Sequence, residues 1–216
     1  MLVEDIMNRN LVTIKPYETI RLAMLLTAQH RIRHLPVVDD TDKLVGIVSD
    51  RDLRDAGPSR FDNESDSEQN EDIFNRKIQD LMNKNVITAH PLDFVEEAAY
   101  ALYENKIGCL PVVDGDNLKG IITDTDILYT LVELMGVHTP SSHVEIQVDD
   151  LPGMLADISA VFKKANYNVN SVLTFPGKHQ GKKNLMFRVQ AVDTRRLVQS
   201  LQESGFDVIW PKEPEK

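Results

Sequence analysis

Cysteine is nearly absent from this chain. Cys109 stands alone among 216 residues, which excludes an intramolecular disulfide and fits a reducing compartment. Basic charge is also in deficit. Lys and Arg number 24 against 34 Asp and Glu, a formal net charge of -10. A free-standing DNA or RNA binder draws most of its affinity from phosphate neutralisation, so no nucleic acid polymer is expected as a partner. The short basic block at 178–183 reads as a solvated loop. No apolar run approaches the ~20 residues of a membrane span, so no membrane partner is expected. The opening MLVEDIMNRN mixes acids into its apolar residues without a basic leader. It predicts no signal peptide and a cytoplasmic chain.

Catalytic signatures are missing as well. The histidines, at positions 30, 34, 90, 138, 143 and 179, have no metal-ligand spacing. His138 and His143 are five apart, with no paired Cys or His beside them. Cys109 lacks the surroundings of a nucleophile, and neither G-x-S-x-G nor a P-loop occurs. The chain is therefore read as no enzyme, with no metal and no required cofactor.

What is present is an internal repeat, which takes precedence in reading a fold. Residues 3–53 align with 78–127. The offset is 75 through Asp39/Asp114 and 74 from Asp42/Asp116 onward. Asp5/Asp80, Met7/Met82, Pro16/Pro91 and Ile32/Ile107 match, as does LPVVD at 35–39 against 110–114. Gly46/Gly120, Asp50/Asp124 and Asp52/Asp126 match further on.

LVTI and VITA are β-branched runs and predict strands. Residues 19–29 space apolar side chains as a helix does. HLPVVD and LVGIVS predict a hairpin, and 49–56 a second helix. Each unit is β-α-β-β-α, too small to bury its sheet alone, so two pseudo-symmetric units pack as one module. The expected repeats are 1–57 and 76–137. Between them, 58–75 is acidic and poor in apolar residues and predicts a mobile linker.

After Gly136 the pattern resets. Strands are expected at 143–148, 169–175, 184–191 and 206–210. A helix opens at Asp150-Leu-Pro-Gly, with Asp150 as N-cap, and places Leu155, Ile158, Val161 and Phe162 on one face. A second helix, 195–204, ends at Gly205. The order βαββαβ over 143–211 is ferredoxin-like. The fold class is α/β of the α+β kind.

The doubled LPVVD…G-h-h-S/T-D-x-D pattern, at 35–52 and 110–126, resembles the CBS domain pair, or Bateman module. D-x-P-G-x-L at 150–155 on a βαββαβ unit resembles an ACT domain. The pair followed by ACT is similar to proteins of the acetoin-utilisation group, which implies a setting in acetoin or acetate metabolism. The resemblance implies a regulatory module that takes an adenine nucleotide (AMP, ATP, cyclic di-AMP or similar) as its ligand. It also implies an unidentified protein target and a homodimer or higher homo-oligomer.

By the same resemblance, Ser49 and Asp52, with Thr123 and Asp126, meet ribose and phosphate where a strand hands over to a helix. A carboxylate accepts two bonds from a vicinal diol, and a helix start offers N–H groups to a phosphate. The same residues also read as N-capping boxes that need no ligand, and both readings stand. Arg33, His34 and Arg51 are expected to serve the phosphate of repeat one; Gly108, Cys109 and Thr125 replace them in repeat two. The base is expected near Thr13 and Ile14 or between Thr88 and His90. For the ACT domain the resemblance points to an amino-acid effector at Asp150, Gly153, Met154 and Asn168, with dimerisation alone as the alternative. A scaffold with degenerate pockets and an unrecognised enzyme are the competing functions.

Overall fold

The computed structural model describes residues 1–57 and 67–212. The first elements are α1 (Val3–Ile6), α2 (Ile20–His30), β1 (His34–Val38), β2 (Leu44–Ser49), α3 (Asp50–Ala56) and α4 (Ser67–Phe74). Next come α5 (Val95–Asn105), β3 (Cys109–Asp114), β4 (Asn117–Thr123) and α6 (Asp124–Leu134). The last are β5 (Ser142–Asp149), α7 (Met154–Lys164), β6 (Val169–Pro176), β7 (Lys182–Val189), α8 (Arg195–Glu203) and β8 (Asp207–Trp210). They divide into two units, Met1–Ile127 and Leu128–Lys216. The sheets are small and antiparallel, an α+β architecture.

The repeats fold alike because their local signals are alike. Thr19 caps α2 by accepting from the Leu22 N–H at 3.3 Å. Arg31 and Lys106 close α2 and α5 in the same left-handed conformation, φ 53°. β1 pairs with β2, and β3 with β4, with register shifts at the matched Val37/Val38 and Val112/Val113. The hairpin turns differ. Asp39 Oδ1 accepts from the N–H groups of Thr41 and Lys43, whereas the shorter second turn passes through Gly115 at φ 60°. The first turn is longer by the one residue that the second repeat lacks.

The strands expected at LVTI and VITA are single parallel bridges, Ile14 to Val37 and Ala89 to Val112. Proline is the cause. Ile14 N–H donates to Pro36 O, and Val38 N–H to Ile14 O. The next bonds either way would need an N–H from Pro16 or Pro36, and proline has none. Pro91 and Pro111 stop the second ladder in the same way.

The leaders of the two repeats are exchanged. Val3 N–H donates to Asp93 O and Glu4 N–H to Pro91 O; Ile78 N–H donates to Glu18 O and Gln79 N–H to Pro16 O. Val3 and Met7 are therefore buried with Ala98, Leu102, Leu110 and Ile122 of repeat two. Ile78 is buried with Ile20, Leu35, Val48 and Leu53 of repeat one. Each such aliphatic side chain contributes about 1.5–3 kcal/mol on burial. Further bridges, Asn8 to Ile121 and Ile47 to Asn83, continue the exchange. A Cβ on Gly120 would lie 2.6 Å from Met7 Sδ, and one on Gly46 2.6 Å from Met82 Sδ, so the approach needs glycine at both places. Each core thus takes in the leader of the other repeat.

Part of the expected linker is ordered structure. Residues 58–66 lie outside the described residues, but α4 follows them. Arg21 on α2 reaches Glu71 Oε2 at 2.7 Å and stands 5.0 Å from the centre of the Phe74 ring. A guanidinium over an aromatic face adds to the ion pair, so one arginine holds two residues of a segment with few apolar anchors.

In the second unit the strand order is β6-β7-β5-β8, and each neighbouring pair is antiparallel. Ile158 and Phe162 of α7 and Leu197 and Leu201 of α8 pack on Val144, Ile146, Leu185, Phe187 and Val189 of the sheet. The rings of Phe162 and Phe187 are 4.7 Å apart. Gly205, at φ 86°, follows α8 as expected. Two expectations for α7 are corrected. The helix starts at Met154, not at Asp150, because Gly153 turns the chain through φ 93° and takes the N-cap position. Leu155 is 45% exposed, so the buried face runs through Ile158 and Phe162 without it.

Candidate functional site

A cleft of about 620 Å³ opens in the first unit at the start of α3. Ser49 and Asp52 line it. Ser49 Oγ donates to Asp52 Oδ2 at 2.6 Å, Ser49 N–H donates to the same oxygen at 2.8 Å, and Asp52 N–H donates back to Ser49 Oγ at 3.2 Å. This is a complete capping box. The box uses only Oδ2, and among the described residues Oδ1 accepts no hydrogen bond. Thr123 and Asp126 repeat the box at α6 with distances of 2.6, 2.8 and 3.3 Å. They do not line this cleft.

The opposite wall comes from the exchanged leader of repeat two: Asn83, Asn85, Val86 and Ile87. Ile47 and Pro111 add apolar surface, and Arg51 and Lys106 add cations. Among the described residues neither Arg51 nor Lys106 has a carboxylate within 4 Å, whereas Arg54 pairs with Asp50 at 3.1 Å. Asn83, Val86, Ile87, Lys106 and Asp124 were not among the expected site residues. The signal for them lay in the repeat itself: two small units that must share a core bring the leader of one against the cap of the other.

Arg33 does not point to its own repeat. Its Nη2 donates to Asp124 Oδ1 at 2.8 Å and to Thr125 Oγ1 at 3.1 Å, both at the start of α6. Gly108 occupies the matched position in repeat two. With no side chain there, no ion pair among the described residues runs from repeat two to the start of α3, and the cleft reaches that cap. His34 packs against Gly108, where a Cβ would lie 2.9 Å from its ring. Burial, then the neighbouring Arg33 charge, holds the His34 pKa below its ordinary value. Burial pushes the Cys109 thiol up to about 12, with Asp124 adding to it. That thiol stays protonated and has no nucleophile's chemistry. Partial burial would raise the Asp124 carboxyl, but the Arg33 guanidinium outweighs it and holds the pKa below the usual carboxylate value.

The remaining expected residues lie elsewhere. Ile14 is buried in the repeat-one core and Thr13 is half-buried. Thr88 and His90 are exposed and fall outside the cleft, whose wall stands one or two residues upstream at Val86 and Ile87. Thr88 instead borders a shallow 200 Å³ depression with Lys43 and Asp116. His90 Nε2 is 3.6 Å from Asp114 Oδ1.

The four ACT residues do not form one site within the chain. Asp150 pairs with Lys183 at 2.6 Å beside a 360 Å³ hollow under the β6–β7 turn. Its carboxylate is thereby taken up by a lysine rather than by a helix cap. Gly153 has open space around it, and Met154 packs toward the core. Asn168 donates to Gln190 Oε1 at 2.9 Å beyond the end of β7, whereas Asp150 lies at its start. Roughly eight residues at ~3.4 Å each separate the two ends.

Residues 3–59 and 78–133 match the CBS domain profile. The chain belongs to the CBS domain family. Residues 142–203 match the ACT domain profile, so an ACT domain follows the CBS pair. The homoserine O-acetyltransferase of Methanococcus vannielii is 40% identical over 131 residues, which are 60% of this chain. They are 25% of the enzyme, so the chain spans about a quarter of that relative's length. The structure described as that of an acetoin utilization protein (AcuB) from Vibrio cholerae is 36% identical at a TM-score of 0.54. The match covers 64% of this chain and 95% of that one. CBSX2, an Arabidopsis thaliana CBS-pair protein solved in complex with AMP, is 30% identical at a TM-score of 0.52, covering 61% and 96%. The CBS pair of protein MJ0100, solved with 5'-methylthioadenosine and S-adenosyl-L-methionine, is 31% identical at 0.51, covering 62% and 97%. Among the described residues no helix is long and apolar enough to cross a membrane, and no three His, Cys, Asp or Glu side chains are grouped to hold a metal ion.

Proposed function

We propose that the chain is a regulatory sensor whose CBS pair binds an adenine nucleotide in the cleft at the start of α3. One observation carries this reading: Asp52, with one carboxylate oxygen free of hydrogen bonds among the described residues, shares a 620 Å³ cleft with apolar Ile47, Val86 and Ile87 and with Arg51 and Lys106, which have no carboxylate within 4 Å among the described residues. A cleft of ~300–1,000 Å³ suits a small molecule. The apolar wall takes the base, Asp52 the ribose diol, and the cations with the α3 N-terminus the phosphate. AMP bound to CBSX2, and methylthioadenosine and S-adenosylmethionine bound to MJ0100, support an adenosine ligand. The protein acts by binding and performs no chemistry. The cytoplasm and acetoin or acetate utilisation are the setting this reading assigns. The ACT domain serves assembly, because its expected effector residues stand apart within one chain.

Isothermal titration of AMP, ATP, cyclic di-AMP and S-adenosylmethionine tests the assignment. Saturable binding of at least one is expected. Asp52→Ala weakens AMP and adenosine alike, by about tenfold or more for a charge-assisted bond, while Asp126→Ala leaves the tight site intact. Binding of none of the four overturns the reading. So does a tight site that survives Asp52→Ala and vanishes in Asp126→Ala.

A further inference from the structure

The two cap aspartates are matched in sequence and served differently in space. Asp50 is paired within its own helix, by Arg54 at 3.1 Å. Asp124 is paired across the repeats, by Arg33 at 2.8 Å, with Thr125 Oγ1 on the same nitrogen at 3.1 Å. Gly108, at the position matching Arg33, sends nothing back. The cleft therefore carries a single cross-repeat guanidinium–carboxylate contact, and both of its partners line the cavity. Both are also about half exposed, 53% and 52%, so the contact is screened and weak enough to exchange.

We propose that Asp124 is a specificity-determining residue that competes with the ligand's phosphate for Arg33. The proposal rests on the nucleotide reading above and names how that site is regulated. Arg33 reaches Asp124 and Thr125 through Nη2 alone, so a phosphate that takes this nitrogen competes directly with the Asp124 carboxylate. A phosphorylated ligand that engages this end of Arg33 must draw it off Asp124, at the expense of that contact. A neutral nucleoside leaves the contact in place. Asp124 thus weakens phosphorylated ligands selectively, so the affinity gap between nucleotide and nucleoside is narrower than the cleft's cations alone would set. Occupancy by a phosphorylated ligand breaks a tie between the repeats that a nucleoside leaves intact.

The test is a double-mutant cycle on the full chain, titrating AMP and adenosine into wild type, Asp124→Asn, Arg33→Ala and the double variant. Asn keeps a polar residue at the first turn of α6, and thermal melting checks that each variant folds. Asp124→Asn is expected to tighten AMP about threefold to fivefold, the range of an exposed ion pair, and to leave adenosine unchanged. In the Arg33→Ala background the same substitution is expected to lose most of that gain. Weaker AMP binding in Asp124→Asn, equal tightening of AMP and adenosine, or an undiminished gain without Arg33 overturns the proposal. If wild type binds neither AMP nor adenosine, the nucleotide reading has failed. The proposal is then judged by inorganic pyrophosphate, which needs the cations and no ribose contact. A gain with Asp124→Asn there sustains it, and no gain ends it.

Discussion

At the scale of single residues, Ser49 has a structural duty that a ligand-free measurement reads. It caps α3 whether or not anything is bound, through the contacts to Asp52. Ser49→Ala is expected to cost about 1 kcal/mol of stability by chemical denaturation without ligand, the worth of an N-cap. An unchanged midpoint would show that the box contributes nothing to the fold. His34 and His143 share a second property: burial lowers both pKa values below the ordinary histidine value of 6.5. Nε2 of His143 is buried without a hydrogen-bond partner, 3.9 Å from Glu145 Oε2. Both rings are neutral in the folded chain at pH 7, and the unfolded chain takes up protons first as pH falls. Stability from this source is complete above about pH 6.5 and declines below it. The melting temperature is expected to fall between pH 7 and 5.5 more steeply in wild type than in the His34→Gln/His143→Gln double variant. Equal slopes would remove the histidines as the cause.

At the scale of elements, the exchanged leaders make each half of the CBS pair depend on a segment of the other repeat. Ile78 has no exposure and belongs to the core formed by α2, β1, β2 and α3. Ile78→Ala is expected to cost about 2–5 kcal/mol, as core truncations do. In hydrogen exchange it should deprotect Leu35 and Val48 of repeat one before Leu110 and Ile122 of repeat two. Earlier deprotection in repeat two would contradict the exchange. Much of the element level was legible in advance. The hairpins, both capping boxes and the βαββαβ order follow from spacings of two to four residues. The shortened leading strands were legible in principle too, since Pro16, Pro36, Pro91 and Pro111 are in plain view, but their effect depends on which carbonyls face them.

At the scale of the whole molecule, the ACT domain presents β6 and β8 as sheet edges. Open edges favour pairing with another chain. Deleting residues 142–216 is expected to lower the assembly state in sedimentation velocity while AMP binding by the CBS pair persists. A truncated chain that sediments as the same oligomer would assign assembly to the CBS pair alone.

The sequence by itself determined the number of repeats, the two hairpins, the βαββαβ order of the last unit and the pairing of Ser49 with Asp52 and Thr123 with Asp126. Each is encoded by residues close together in the chain, where helix, hairpin and cap geometry leave few alternatives. Only the tertiary structure decided where Arg33 goes, which leader lines the cleft, and which cap the cleft reaches. Those outcomes depend on two related repeats facing each other. At that meeting an arginine on one side and Gly108 on the other break the symmetry, and a side chain that reads as local crosses to a carboxylate 91 residues away.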